Sequence, residues 1–257
     1  MIENKNLNQS IIKAFTVLDA FTNDKKEWGV RELANKTGYN KSTTYRLLST
    51  LVYLNVIHQN ENEKYCLGSK LFELGNRVSL YQSLITATNH PIKNVALEIQ
   101  ETVLLAILKE EQVFYVNKAD SLQGLKISTS IGSYQPIHAT ASGKLLLAFS
   151  SIEKQEKYFK NNNFTKYTQK TITKVPKLKT ALRIIKKQGY ALDLEEQELG
   201  LICIAIPIYN KKGNTIASIS ASGPSSRFKM ENVQSYVSIL QKGASVIEKH
   251  LQNFDSL

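Results

Sequence analysis

The stretch VRELANKTGYNKSTTYRLLSTL, residues 30–51, restricts the fold of this chain more than any other. Val30, Leu33 and Ala34 share one side of a short helical period that runs into Gly38, where a left-handed residue ends a helix. A second amphipathic period starts after Tyr39 and continues to about Leu54. Two short helices joined by so tight a glycine-containing turn form the helix-turn-helix pattern. On a helical wheel of the second helix, Thr44, Leu47, Leu48, Leu51 and Leu54 form an apolar stripe, as a core-facing side requires. Ser42, Tyr45, Arg46 and Ser49 lie opposite, with Lys41 and Thr43 flanking the helix start.

The flanking segments fit the same pattern. Upstream, Ile11, Ala14, Phe15, Leu18 and Phe21 recur at helical spacing behind a candidate N-cap at Asn8 or Ser10. Downstream, VIHQ and KYCLG are short β-prone runs around the polar NENE, which predicts a hairpin, the wing of a winged helix. A helix-turn-helix inserts the start of its second helix into the major groove. That position needs short hydrogen-bonding side chains, with arginine for guanine edges or phosphate, while helix-start amides add phosphate affinity. Any solvated helix surface carries Ser, Thr, Lys and Arg; the order helix, glycine turn, helix, hairpin is what favours double-stranded operator DNA. Ser42, Thr43, Tyr45 and Arg46 are expected to read bases or phosphates, with Lys41 and Lys64 anchoring the backbone.

With 257 residues there is room for two modest cores. The expected division is a winged helix-turn-helix over 1–68, a linker helix over 69–89 carrying Leu71, Leu74, Val78, Tyr81 and Ile85, and a second domain over 90–257. His90-Pro91 is predicted to break the linker helix, because a residue before proline resists the α conformation; a further helix over Ile92 to about Glu101 then opens the second domain. Beyond it, TVLLAILKEEQVFYVNKA reads as two strands around a charged turn and LKISTSIG as another strand. HATASGKLLLAF reads as a loop entering a helix, and VPKLKTALRIIKKQG as a helix closed by Gly189. LICIAIPIYNKKGNTIASISASG is a hairpin around a Lys-Gly turn, and ENVQSYVSILQKGASVIEKHL a long terminal helix. Strand pairs joined by hairpins imply an antiparallel α+β domain.

The formal net charge is +11. Residues 1–80 hold 11 Lys/Arg against 8 Asp/Glu, whereas residues 153–187 hold 11 against 2. The excess is therefore remote from the groove-reading helix. It is read as a solvated lysine-rich helical surface, the alternative being a secondary contact with the DNA backbone. No apolar run reaches the ~18–20 residues of a membrane span, and MIENKNLNQS lacks the apolar core of a secretory signal. A cytoplasmic protein is expected, without membrane association. Cys66 and Cys203 stand without a ligand pattern, so neither a disulfide framework nor a zinc site is expected, and no cofactor is called for.

Three ordered motifs resemble the IclR family of bacterial transcription regulators. ELANKTGYNKSTTYRLLSTL followed by KYCLGSKLFELG is similar to that family's DNA-binding half. IHATASGKLLLAF is similar to its His-Ala-Ser/Thr-x-x-Gly-Lys motif, and GYALDLEEQELGLICIAIPIYNKKGNTIASISASGPSSRF to its effector-domain signature. The resemblance spans the chain from about Leu7 to the terminal helix. It implies a homodimer or homotetramer with an N-terminal winged helix, a linker helix that helps pair subunits, and a C-terminal GAF-like domain that senses a small organic or sugar-derived acid. Carried over by position, it implies effector contacts at Ala141, Ser142, Asp193, Leu201, Cys203, Ser220 and Ser222. Repression is the expected mode of regulation.

The residues themselves permit this pocket and also plainer readings. Ser142 and Gly143 precede an apolar helix, where main-chain N–H groups can hold a carboxylate. Ser220 and Ser222 face one side of a strand and either hold a polar ligand or satisfy each other and nearby backbone. His138 is read as a loop brace, Cys203 as a packed core residue, and Glu195–Glu198 as a solvated turn with Asp193 the one acid pointing inward. The rivals to a regulator are a winged-helix protein-interaction module and an acyl-transfer or hydrolytic enzyme using Cys203 or Ser142; no catalytic residue is expected.

Overall fold

The computed structural model describes residues 7–22, 24–78, 82–124, 127 and 129–251, in two units, 1–79 and 80–257. In the first, α1 (Gln9–Leu18) starts where the Asn8 carboxamide oxygen accepts the N–H of Ser10 at 3.0 Å. The second helix, α2 (Val30–Thr37), ends at Gly38 with φ 74°, the left-handed stop its sequence predicts. Asn40 then caps α3 (Lys41–Tyr53), its Oδ1 accepting the N–H of Thr43 at 2.8 Å. The buried Thr44 donates its hydroxyl to the Asn40 carbonyl at 3.0 Å, a polar member of the inward stripe that is internally satisfied. Val17, Phe21, Leu33, Leu48, Leu51 and Ile57 form the centre of this unit's core.

The expected wing is a two-stranded antiparallel hairpin, β1 (Ile57–Gln59) with β2 (Tyr65–Leu67), extended by a bridge from Trp28 to Tyr65. Gly68 closes it against the end of α3: a Cβ there would stand 2.4 Å from the Asn55 carbonyl oxygen. Leu54, expected in the apolar stripe, is 50% exposed. The helix ends at Tyr53, and Asn55 turns left-handed (φ 57°), which carries Leu54 off the helical line. A fourth helix, α4 (Ser69–Asn76), follows. The linker helix expected over 69–89 is thus not one described element: α4 stops at Asn76, and residues 79–81, including Tyr81, lie outside the described residues.

The second unit corrects the expected proline break. Helix α5 (Gln82–Ile99) runs straight through Pro91 and includes the segment predicted as a separate helix, which also ends short of Glu101. Proline offers no N–H to the carbonyl four residues earlier, that of Ala87. His250 of the terminal helix fills the gap, with Nδ1 3.1 Å from the Ala87 oxygen. A six-stranded antiparallel sheet follows, ordered β5-β4-β3-β8-β7-β6. Its strands are β3 (Thr102–Lys109), β4 (Gln112–Ala119), β5 (Tyr134–Gln135), β6 (Ala191–Leu194), β7 (Leu201–Tyr209) and β8 (Thr215–Pro224). Glu110 and Glu111 make the predicted charged turn, both at positive φ. Of the strand expected over 125–132, Leu125, Lys126 and Ser128 lie outside the described residues; Ile127 and residues 129–132 are not strand, and main-chain bonds to Tyr115 at Gly132 and Ser133 lead into β5 at Tyr134.

Helices cover both faces of the sheet. On one, α5 packs with the terminal α9 (Val233–Leu251) around Val95, Leu105, Ile204, Ile219 and Leu240. On the other, α6 (Ala141–Phe149) and α8 (Val175–Gln188) pack around Leu104, Leu145, Leu178, Leu182 and Ala205. A further helix, α7 (Ile152–Asn161), joins α6 to the segment before α8. The architecture is α+β with an antiparallel sheet, as the hairpin-joined strands imply.

Candidate functional site

In the first unit the outward side of α3 presents Lys41, Ser42, Tyr45, Arg46 and Ser49, all exposed, while Thr43 is half-buried at the first turn. Ser42 donates its hydroxyl to Asn40 Oδ1 at 2.9 Å, which leaves its oxygen able to accept. Lys64 is exposed at the end of the wing turn, where its carbonyl accepts the Asn60 N–H at 2.8 Å. The six residues singled out from sequence therefore sit on one helix start and one hairpin turn, outside the core. An arginine, a phenol and short hydroxyls on an exposed helix start can donate to base edges or phosphates.

In the second unit, Ala141, Ser142, Asp193, Leu201, Cys203, Ser220 and Ser222 line one cavity of about 70 Å³ between the sheet and the start of α6. Strand register explains the convergence. Asp193 pairs with Cys203, and Cys203 with Ser222, so these three side chains form one row on the α6 side of β6, β7 and β8. Ser220 belongs to the next row on that face, opposite Leu104 and Ala205. Thr140 caps α6 by accepting the Gly143 N–H at 3.1 Å. The first two N–H groups of the helix, those of Ala141 and Ser142, lie where no intrahelical acceptor exists. Gly143 is required by the approach of the preceding loop: a Cβ would meet the Ile137 carbonyl oxygen at 2.4 Å.

The electrostatics favour binding over chemistry. Burial pushes the Asp193 carboxyl up to about 7, although its Oδ1 accepts the Glu196 N–H at 2.7 Å and Lys144 is near. Burial also drives the Cys203 thiol well above its usual range, and the neighbouring Asp193 adds to this. A thiol held in its protonated form is a poor nucleophile. Ser142 Oγ is buried without a hydrogen-bond partner and so is not activated by any base, as a nucleophilic serine would need. Among the described residues no cluster of three His, Cys, Asp or Glu side chains could hold a metal ion.

Glu196 corrects the reading of Glu195–Glu198 as a solvated turn. It is buried and forms an ion pair with Lys144, a lysine only 3% exposed in the otherwise apolar α6. Asp193 is thus not the only inward acid. Thr168 and Thr171 donate to the Glu195 and Glu196 carbonyls, and the exposed Lys170 pairs with Glu195, so the loop carrying Gln197 and Glu198 is held from both sides. His138 is a brace, as expected: its Nε2 stands 2.9 Å from the Thr165 carbonyl, and burial lowers its proton affinity.

Sequence reasoning did not find Tyr115, Thr129, Gln135 and Gln197, which also line the cavity. Tyr115 comes from β4 and Gln135 from the short β5, neither of which carries a motif. Gln197 donates its amide to Gln135 at 3.0 Å while its own Oε1 is buried without a partner. The signal that was available is Lys144, a single charge among AxGxLLLAF, which demands a buried counter-ion.

An exposed helix start in a helix-turn-helix and, in the second unit, a small polar cavity whose thiol and serine are not activated fit a DNA-binding regulator with a ligand-binding domain. Comparisons with known proteins agree. The pattern described as "IclR helix-turn-helix domain" matches residues 10–61, and "Bacterial transcriptional regulator IclR C-terminal" matches residues 57–249. The chain belongs to the IclR family of bacterial transcription regulators. It is 36% identical to the HTH-type transcriptional regulator KdgR of Escherichia coli (strain K12), over 96% of this chain and 94% of that protein. It is 28% identical to the transcriptional repressor IclR of the same organism, over 93% of this chain and 88% of that one. The crystal structure of the Thermotoga maritima IclR superposes with a TM-score of 0.76 at 28% identity, covering 95% of this chain and 98% of that one. These relatives are transcription regulators, not enzymes. Among the described residues no helix is long and apolar enough to cross a membrane.

Proposed function

We propose that the protein is a cytoplasmic repressor that acts as a homodimer or homotetramer on a pseudo-palindromic operator, and that a small organic or sugar-derived acid regulates it from the cavity of its second unit. The observation that carries the effector class is Ser142: its buried Oγ lacks a partner at the very start of α6, beside two unclaimed helix-start N–H groups. A carboxylate satisfies all three donors and is favoured by the helix dipole. Across the cavity, Asp193, Ser220, Ser222 and the Gln197 oxygen can take up hydroxyl groups. Repression is supported by the likeness to a protein named as a transcriptional repressor.

Two subunits place their α3 helices in successive major grooves, about one helical turn or a multiple of it apart. The effector shifts DNA affinity only by its differential affinity for the arrangements of the winged helices that do and do not fit that spacing. The test is calorimetric titration of the purified protein with a panel of hydroxy acids and matched acids lacking hydroxyls. Hydroxy acids should bind, and Asp193→Ala or Ser222→Ala should weaken them while leaving operator binding by the free protein intact. Wild-type ligand affinity in both variants would place the effector elsewhere.

A further inference from the structure

The largest feature that regulation by the cavity does not use is the positive charge of α7, α8 and their surroundings. We propose that the outer face of α8 is a second DNA contact, a sequence-independent one that grips the phosphate backbone of duplex DNA.

Helix α8 contains no acidic residue. Leu178, Leu182 and Ile185 point into the core, and the rest of the helix surface exposes Lys177, Arg183, Lys186 and Lys187. Among the described residues none of these four has an ion-pair partner, whereas three other cations of the region do. Lys157 pairs with Glu111 at 3.2 Å, Lys179 with Glu156 at 2.7 Å, and Lys170 with Glu195. Helix stability does not account for all four. Lys186 and Lys187 lie in the last turn, where a cation offsets the helix dipole. Lys177 lies in the first turn, where the same dipole repels it.

The charges are arranged for a line of phosphates rather than for an acidic peptide. The groove between α7 and α8 has an apolar floor at Ile152, Phe159 and Leu182, but Glu156 already occupies its wall. A peptide carboxylate entering there would meet that acid. Of the uncompensated cations, Arg183 and Lys186 stand at the α8 edge of this groove and Lys177 and Lys187 outside it, all four exposed to solvent. From Lys177 to Lys187 they extend about 15 Å, some four base-pair steps of a duplex.

The winged-helix unit also leaves room for such a contact. Through residue 80 its cations barely exceed its acids, eleven against eight, and Lys25 and Lys70 are held by Glu32 and Glu73. Once α3 is bound, the second unit of the same chain meets flanking duplex at a raised effective concentration. Phosphate contacts there add affinity and salt dependence without changing which sequence is chosen.

The test is fluorescence anisotropy of the full chain on a long random-sequence duplex across a series of salt concentrations, with a fourfold variant (Lys177→Gln, Arg183→Gln, Lys186→Gln, Lys187→Gln). The variant's log–log salt slope should be shallower by about 3–4, one unit per lost phosphate contact. Its affinity near physiological salt should fall at least about tenfold. A second variant, Lys177→Glu with Arg183→Glu, spares the last turn of α8 and should show the same direction of change. Wild-type slope and affinity in both variants would overturn the proposal. So would loss confined to the fourfold variant together with a lowered melting temperature, which would mark fraying of α8. Unchanged DNA binding with loss of binding to polyglutamate would overturn it in favour of an acidic protein segment.

Discussion

His250 Nδ1 stands 3.1 Å from the main-chain oxygen of Ala87, the acceptor that Pro91 leaves without an intrahelical partner. The contact requires the Nδ1–H tautomer when the ring is neutral. It joins the terminal helix to α5 at the point where α5 would otherwise lack one bond of its ladder. His250→Ala should lower the stability of the second unit by about 0.5–1.5 kcal/mol. Pro91→Ala offers a donor of its own at that position, so the histidine should matter less in its presence. A double-mutant cycle by urea denaturation reads this directly. Strictly additive effects of the two substitutions would mean that the two groups do not share the Ala87 carbonyl.

Ser142 separates stability from binding. Its buried Oγ makes no hydrogen bond in the free protein, so Ser142→Ala should leave the thermal midpoint unchanged or slightly raised. The same change should weaken an acid effector by about 0.5–1.5 kcal/mol, a few-fold to roughly tenfold. A marked loss of stability with unaltered ligand affinity would show that the hydroxyl serves the fold instead.

Asp193 gives the second unit a pH signature. Its folded carboxyl titrates at about 7, raised by burial from an ordinary 3.8. Between those values the folded state holds more protons than the unfolded state, so stability falls as pH rises. The contribution is fully present below about pH 4 and is lost by pH 7, on the order of a few kcal/mol. Asp193→Asn keeps an acceptor for the Glu196 N–H and cannot titrate, so denaturation midpoints of the variant should lack this slope. The same fall with pH in wild type and variant would assign the slope to other groups.

The fold was legible wherever local chemistry decides it. Gly38 and Gly189 end helices at positive φ, Asn8 caps α1, and the hairpins of β1–β2, β3–β4 and β7–β8 follow their turn residues. It was not legible where a distant residue overrides local preference. His250, more than a hundred and fifty residues away, lets α5 pass Pro91. Lys144, on α6, draws Glu196 out of an acidic run that on its own would stay in water. The short β6 was missed because its pattern ALDL is too brief to declare itself, and only pairing with β7 makes it a strand. The seven cavity residues came from motif resemblance, and strand register explains why such scattered positions meet.

Arg46 is fully available on α3 and carries the only guanidinium on that helix. Arg46→Ala should weaken binding to a selected operator by about 1–3 kcal/mol, roughly ten- to a hundredfold, with little effect on ligand binding in the second unit. Gel-shift titration against a pool-selected duplex reads the loss. Equal operator affinity in wild type and variant would remove Arg46 from the recognition surface.

The proposed coupling is that an acid bound in the cavity of the second unit alters how tightly α3 holds DNA. Its most direct test is operator affinity by fluorescence anisotropy at fixed near-physiological salt, with and without a saturating hydroxy acid, for the wild-type protein and for Asp193→Ala. The wild type should bind the operator selectively and lose affinity on adding the acid, by about five- to a hundred-and-fiftyfold for a typical coupling of about 1–3 kcal/mol, and the variant should respond much less. An acid that binds the wild type but leaves its operator affinity unchanged, or that acts equally on both proteins, would contradict it.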